Sequence, residues 1–277
     1  SGGLVALNLY QGHDRLAVQE RARLLAQGHV VRQNLLRQLE STDQVLQSLR
    51  ASLLGLADER ASSRDLAILT KGIPGIAALF AVDENGRVTQ ASQSVLKDSD
   101  QGANAVVRLA RWHRNPSLLY VAPPVQTPDG RLVMSIARVL TDANGDYSGA
   151  VVAELNSQYF STLLTSVNYA PDMWSGLSHN DGTVFLTTSA ETAVPDSGPH
   201  LPDSVMARHK DSGDDESFDA KVRLDSGAVR QVAVLTIDSD TFRQSAPLYV
   251  SLSRDEEAIY GPWYREAKGL SLAYGLV

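Results

Sequence analysis

Apolar residues recur at helical spacing through the first part of the chain. Between His13 and Leu54 there is no proline and a single glycine, Gly28, and most residues are good helix formers. An apolar stripe steps by four and three residues along one narrow face. Its members are Leu35, Leu39, Thr42, Leu46, Leu49, Leu53 and Leu56. A helix of about 42 residues would be about 63 Å long at about 1.5 Å per residue, so it must pack against a second unit of the chain or against another protomer.

Strands and tight turns follow this helix. A short helix capped by Ser62 or Ser63 leads to two strands around an Asn-Gly turn at Asn85 and Gly86. We predict strands at 76–82, 87–92, 118–125, 132–141 and 147–155, and helices at 101–114 and 158–167. These elements predict a five-stranded antiparallel sheet with helices on its faces.

The pattern then repeats in a shorter form. We predict strands at 173–178, 183–187, 218–224, 229–237 and 247–252, with a short helix at 203–210 and a helix from about Arg254 onward. The predicted fold class is α+β, in which a long N-terminal helix precedes two PAS-like antiparallel-sheet units and a C-terminal exit helix. The predicted division is 1–58 for the N-terminal stub and long helix, 59–168 for a first unit, 169–253 for a second unit and 254–277 for the exit helix.

Composition and motifs narrow the class of function. The chain has 277 residues and a net charge of -7, and its Lys and Arg residues are scattered, which argues against a nucleic-acid partner. Cysteine is absent, and the six histidines show no metal-site spacing. Neither a phosphate-binding glycine loop nor a Gly-x-Ser-x-Gly elbow occurs. We therefore predict no catalytic site, no metal and no cofactor in this chain.

Short apolar segments lie near both ends of the chain, at residues 4–9 and 269–277. Each is shorter than the roughly 20 residues that a helix needs to span a bilayer. We interpret them as the remains of flanking transmembrane helices, and the alternative is that both are helices docked on the core. Anchoring at both ends predicts that the termini leave at one pole. We also expect a homodimer in the full-length protein, with its seam near residues 15–31.

Four strings resemble the double Cache family of extracytoplasmic sensor domains, as found ahead of bacterial diguanylate cyclases and histidine kinases. They are IPGIAALFAVDENGRV at 73–88, the His113-Arg114 pair before YVAPPV at 120–125, SIARVLTDANGDYSGAVVAELNSQYF at 135–160, and LYVSLSRDEEAIYGPW at 248–263. The family's acidic-Arg-x-aromatic-aromatic motif is missing. The amino-acid-sensing branch also has an Arg where this chain has Ala110, so the resemblance does not extend to amino-acid binding.

The resemblance implies the periplasmic ligand-sensing region of an inner-membrane signalling protein, with a membrane-distal first unit and a membrane-proximal second unit. A diguanylate cyclase is the favoured output. The alternatives are the sensor region of a histidine kinase or chemoreceptor and, from another class, a free periplasmic solute-binding protein.

A ligand in the first unit would lie on the concave side of its sheet, beneath the helix that ends at Arg114. The nearest polar and aromatic residues are Arg111, Trp112, His113, Arg114, Tyr120, Arg138 and Glu154. Because a guanidinium can bind a carboxylate through two parallel hydrogen bonds, these residues predict a carboxylate or another small anion as the ligand. A competing interpretation is that Arg138 pairs with Glu154 across the strands and that Trp112 belongs to the core.

Overall fold

The computed structural model describes residues 2–56, 61–127, 130–188 and 201–273. The helices of these segments are α1 (Gly2–Leu53), α2 (Ser63–Gly72), α3 (Ala105–His113), α4 (Ser157–Ser166), α5 (Asp203–Ser212) and α6 (Glu256–Ala273). Their strands are β1 (Ile76–Asp83), β2 (Val88–Ala91), β3 (Leu118–Val121), β4 (Val125–Gln126), β5 (Leu132–Val133), β6 (Ser135–Thr141), β7 (Tyr147–Leu155), β8 (Trp174–His179), β9 (Val184–Thr187), β10 (Glu216–Arg223), β11 (Val229–Ile237), β12 (Arg243–Gln244) and β13 (Leu248–Asp255). The chain is α+β, with a long N-terminal helix and two sheet units, as predicted.

One strand from the second unit joins the sheet of the first unit. The first sheet has the order β12-β3-β6-β7-β1-β2 and the second β10-β11-β13-β8-β9, while β4 and β5 form a separate hairpin. The prediction of a five-stranded antiparallel first sheet is wrong, because β12 comes from the second unit and pairs in parallel with β3. Pro123 and Pro124 end β3 early, since proline cannot donate to a strand ladder. The Ser245 hydroxyl adds to the junction by accepting a hydrogen bond from the Val121 N–H at 2.9 Å.

The stripe of α1 is buried within its own chain. Leu35, Leu39, Leu46 and Leu49 are at most 2% exposed, so of the two partners open to this face it is the sheets of the same chain that cover it. Leu56 is 78% exposed and lies beyond the end of α1, so its inclusion in the stripe was wrong.

Helix α1 also crosses the second sheet, and its glycine lies at the crossing. A Cβ placed on Gly28 would be 2.4 Å from Leu235 Cδ1 and 3.3 Å from Leu252 Cδ1. The helix therefore approaches β11 and β13 more closely than a side chain would allow. Leu235 and Leu252 belong to the same buried cluster as the stripe, so one core joins α1 to both units.

The other face of each sheet is covered by one short helix. Apolar residues of α3 pack on the first sheet around Phe80, Tyr120 and Val152. Helix α5 packs on the second sheet around Val205, Val232 and Tyr249. The acidic run at 211–219 is divided between these elements, because α5 continues to Ser212 and β10 begins at Glu216.

Helices α1 and α6 lie side by side at one end of the molecule. The His13 ring stacks on Tyr260 at a centroid distance of 4.6 Å and meets Trp263 edge-on at 5.1 Å. Because Glu20 lies nearer the start of α6 than His13 does, the two helices run antiparallel. Both ends of the described chain therefore point to the same pole, as predicted. No helix in the described segments combines the length and the apolar character needed to cross a membrane.

Candidate functional site

The C-terminal turn of α3 carries four of the predicted site residues. Asn104 begins the helix by accepting a hydrogen bond from the Val106 N–H at 3.0 Å, and Arg114 ends it in the left-handed region with φ +55°. Val106 and Ala110 face the sheet and are fully buried. Trp112 lies on the opposite side of the helix and is 84% exposed, so it is neither in the core nor beneath the helix.

Arginine and histidine side chains are the neighbours of Trp112 along α3. Arg111 is half-buried, with its guanidinium carbon 5.7 Å from the centre of the Tyr147 ring. The side chains of Arg108, His113 and Arg114 are exposed, and Arg114 Nε donates to the Arg111 carbonyl at 3.1 Å. Together these residues line an open groove along α3.

The space beneath α3, where the ligand was expected, is filled by apolar side chains. Phe80, Ala137, Val139 and Val152 occupy this face of the sheet and are fully buried. Tyr120 is buried among them, and its hydroxyl accepts a hydrogen bond from the Asn115 N–H at 2.7 Å. Burial raises the pKa of Tyr120. The predicted pocket on the concave side of the first sheet is therefore replaced by a packed core.

Arg138 lies on the other face of the first sheet. Its Nε and Nη2 donate to the two carboxylate oxygens of Asp43 in α1, at 2.7 and 2.9 Å, and the two side chains are 5% and 3% exposed. The proposed pairing of Arg138 with Glu154 is wrong, since Glu154 lies opposite Ser135 in the strand register. Burial raises the pKa of Glu154, and the charge of Arg131 partly opposes that shift.

The structure thus brings Arg111, Trp112, His113 and Arg114 together on one helical turn above Tyr120. The ring centroids of His113 and Tyr120 are 6.4 Å apart. Arg138 is separated from this group by the sheet.

The second unit contains a cavity that the sequence analysis did not predict. Its volume is about 400 Å³, and it lies between α5 and the strands β8, β9 and β13. Its lining residues are Trp174, Gly176, Leu177, Ser178, Asp181, Gly182, Val184, Thr187, Leu201, Asp203, Met206, Ala207, Lys210, Asp211 and Ser251. Trp174 and Gly176 are two residues apart and therefore lie on the same face of β8. A glycine inside a strand often marks a close approach or open space, and this signal could have located the cavity from the sequence.

Acidic groups dominate the charged lining of this cavity. Asp181, Asp203 and Asp211 contribute three carboxylates, and Lys210 contributes one ammonium group. Burial alone would raise the pKa of Asp181, but hydrogen bonds from Thr183 and His179 outweigh it and lower the pKa. Asp181 is therefore ionised at neutral pH.

A hydrogen-bond path leads from the cavity to the first unit. His179 Nδ1 accepts a hydrogen bond from the Asp181 N–H at 3.2 Å, and its Nε2 lies 3.3 Å from the carbonyl oxygen of Val121 in β3. His179 is 6% exposed, so this contact is shielded from solvent. Within the described segments, no group of three or more His, Asp and Glu side chains is arranged to hold a metal ion.

A buried ionic cluster connects the second unit to α1 and α6. Arg254, in β13 just before α6, contacts Glu20 of α1 at 2.6 Å and Asp172 at 2.7 Å. The Tyr169 hydroxyl also donates to Glu20. Burial alone would raise the pKa of Asp172, but hydrogen bonds from Arg254 and from the Asp255 N–H lower it. The link between α1 and α6 is therefore charged and largely dry.

Known structures share this architecture at low sequence identity. No protein-family model and no curated protein sequence matches the chain. The extracellular domain of the proposed histidine kinase rpHK1S-Z16 aligns with a TM-score of 0.73 and 19% identity, covering 87% of this chain and 97% of that one. The periplasmic sensory domain of the Campylobacter jejuni chemoreceptor Tlp1 aligns with a TM-score of 0.61 and 10% identity, covering 92% and 99%.

A third similar structure contains a bound ligand. It is the ligand-binding domain of the Pseudomonas aeruginosa PAO1 amino-acid chemoreceptor PctC in complex with GABA, with a TM-score of 0.56 and 15% identity over 82% of this chain and 96% of that one. At these identities the likeness concerns the fold. The chain has the fold of the extracellular sensory domains of histidine kinases and chemoreceptors.

Proposed function

We propose that this chain is the periplasmic ligand-sensing region of a transmembrane signalling protein and is not itself an enzyme. The observation that carries the proposal is the antiparallel pairing of α1 and α6 at one pole, joined to the second unit through Glu20, Arg254 and Asp172. A ligand can shift a signalling equilibrium only if it binds the two states differently. A small rearrangement of the second sheet would move Arg254 and, with it, the start of α6.

The proposal also covers the output module of the signalling protein. A diguanylate cyclase follows from the resemblance of the sequence strings to sensor domains ahead of such enzymes. A histidine kinase or chemoreceptor is the second candidate, because the similar structures are sensory domains of those two classes.

The groove on α3 is the proposed ligand site of the first unit. Arg108 and Arg114 line it together with the exposed Trp112 and carry exposed cationic groups, whereas the guanidinium of Arg111 is held over the Tyr147 ring. Guanidinium groups bind carboxylates through paired hydrogen bonds, so this groove favours a small anion or carboxylate. Arg138 takes no part in it, because its guanidinium is bound to Asp43.

Signalling can be tested in an assembled receptor. The chain is placed between two transmembrane helices and ahead of a diguanylate cyclase, and cellular cyclic di-GMP is measured. Arg254→Met should change the basal output, because it removes the contacts with Glu20 and Asp172. Arg265→Met is the matched control, since Arg265 is exposed on α6. An output that is the same in both variants and in a receptor lacking the chain would contradict the proposal.

The output class needs a separate measurement on the full-length protein. Production of that protein in cells should raise cyclic di-GMP if the output is a diguanylate cyclase. An unchanged level would overturn that part of the proposal and favour a kinase or chemoreceptor.

A further inference from the structure

The cavity of the second unit has the features of a second ligand site. We propose that it binds a small organic cation, namely an amine or quaternary ammonium ion that carries an apolar body. This inference deepens the proposed function, since it names what a sensory domain of this kind would recognise. Binding itself can be measured on the isolated chain without any signalling output.

The floor of the cavity is shaped to admit a ligand. Gly176 lies in the middle of β8, and a Cβ there would be 3.1 Å from Ser251 Oγ. The glycine therefore keeps the floor open where any other residue would fill it. The volume of about 400 Å³ is within the range of about 300–1,000 Å³ that is usual for small-molecule sites.

Polar groups of this floor have no partner within the described residues. Ser251 is 8% exposed, and its hydroxyl makes no hydrogen bond there. Trp174 is 5% exposed, and its Nε1 likewise lacks a partner, as does the buried Thr187 Oγ1. Buried polar groups in folded proteins are nearly always hydrogen-bonded, so unpaired polar groups in the wall of one cavity favour a ligand that supplies hydrogen bonds.

The charge of the lining selects a cation. Asp203 and Asp211 lie on the same face of α5 as Met206 and Ala207, at spacings of three, four and eight residues. Eight residues of helix place the two carboxylates about 12 Å apart along the axis. Asp181 adds a third carboxylate from the β8–β9 turn. An ammonium group between these residues would meet opposite charge at either end of the cavity.

Lys210 does not neutralise this charge within the cavity. Its Nζ donates to the backbone carbonyl of Asn180 and lies 5.3 Å from the centre of the Tyr249 ring. Lys210 is thereby held at the edge of the site. A free carboxylate would face three like charges here, so an amine should bind better than the amino acid from which it differs by one carboxylate.

The test uses matched pairs of ligands on the purified chain. Isothermal titration calorimetry compares agmatine with arginine and phenethylamine with phenylalanine, and includes choline. We expect at least one of the cations to bind, and its affinity to exceed that of the corresponding amino acid by at least about tenfold. Raising the salt concentration should weaken this binding, because the rim carboxylates are exposed.

Three variants locate the site. Asp203→Asn with Asp211→Asn should weaken amine binding by about tenfold or more, since two charged contacts are lost. Ala207→Trp, at an exposed position on the cavity side of α5, should abolish binding by occupying the space. Asp225→Asn with Asp240→Asn is the charge-matched control, because both residues are exposed and lie outside the lining. Thermal unfolding confirms that each variant is folded.

The proposal is overturned if none of the three cations binds, if Ala207→Trp binds as the wild type does, or if the amino acids bind more tightly than the amines. Loss of amine binding in Trp112→Ala but not in Ala207→Trp would assign the ligand to the α3 groove instead. A chain that binds amines but gives no output in the assembled receptor would retain the site and refute the signalling role. A receptor that signals while its chain binds no cation would refute the cation site and retain the signalling role.

Discussion

The ion pair between Asp43 and Arg138 provides a direct test of how α1 is held on the first sheet. The two side chains are 3% and 5% exposed, and Gln47 Nε2 donates a further hydrogen bond to Asp43 at 2.6 Å. Asp43→Asn keeps the shape but removes the negative charge. The Arg138 guanidinium then remains buried near Arg50, whose pKa is lowered by burial and by the charge of Arg138.

The expected magnitude follows from leaving a charge buried without its partner. Removal of one member of a buried ion pair costs about 3–5 kcal/mol. Asp43→Asn should lie at the upper end, because two guanidinium groups remain, and Arg138→Met at the lower end, because Asp43 keeps Gln47. For a chain of this size 1 kcal/mol shifts Tm by about 2 °C, so each change should lower Tm by about 6–10 °C.

The double variant separates the ion pair from packing. Asp43→Leu with Arg138→Met removes both charges, and its stability should be within about 1 kcal/mol of the wild type, whereas Asp43→Leu alone should lose about as much as Asp43→Asn. Stability is measured by urea and thermal unfolding followed by circular dichroism. Arg37→Met is the control on an exposed position of α1 and should change stability by at most about 0.5 kcal/mol. Single variants that lose less than about 1 kcal/mol, or additive losses in the double variant, would refute this reasoning.

Three further predictions concern other parts of the molecule. His209 is 1% exposed and burial lowers its pKa below 6.5, so the unfolded chain binds a proton more readily and the free energy of unfolding should fall as the pH drops below about 6.5. His209→Gln should flatten that slope, and equal slopes in both proteins would contradict the assignment. The chain has no cysteine and Val18 on α1 is 63% exposed, so Val18→Cys should form disulfide-linked dimers if the dimer seam lies near residues 15–31. Val95→Cys is the control, at a 79% exposed position of the first unit, and should not form them. The opposite result would exclude this seam. Trp112→Ala should change Tm by no more than about 1 °C, because Trp112 is 84% exposed, yet it should remove any stabilisation by carboxylates; stabilisation that persists would exclude the α3 groove.

The local elements of the fold could be predicted from the sequence. The spacing of Leu35, Leu39, Leu46 and Leu49 predicted both the existence of α1 and its buried face, because helical periodicity reflects burial along a single side. Ser62 caps α2 through a reciprocal pair with Asp65, and Asn156 caps α4. These signals act over three or four residues, and tertiary contacts did not override them.

The candidate site depended on contacts between distant parts of the chain. Both faces of β6 are buried, one under α1 and the other under α3, so the run SIARVL does not alternate between apolar and polar residues. The sequence therefore could not show that Arg138 faces α1 whereas Tyr120 faces α3. The partner of Arg138 is Asp43, which lies 95 residues away in the sequence.

Helices, turns and the two-unit order were determined by the sequence itself, because they are encoded in short-range spacing. The tertiary structure decided three features: the addition of β12 to the first sheet, the pairing of Arg138 with Asp43, and the cavity around Ser251. Each depends on which surfaces meet when two sheets pack on one long helix. These contacts are determined by the shape and charge of both surfaces. The pattern of residues along one segment describes only one of the two surfaces.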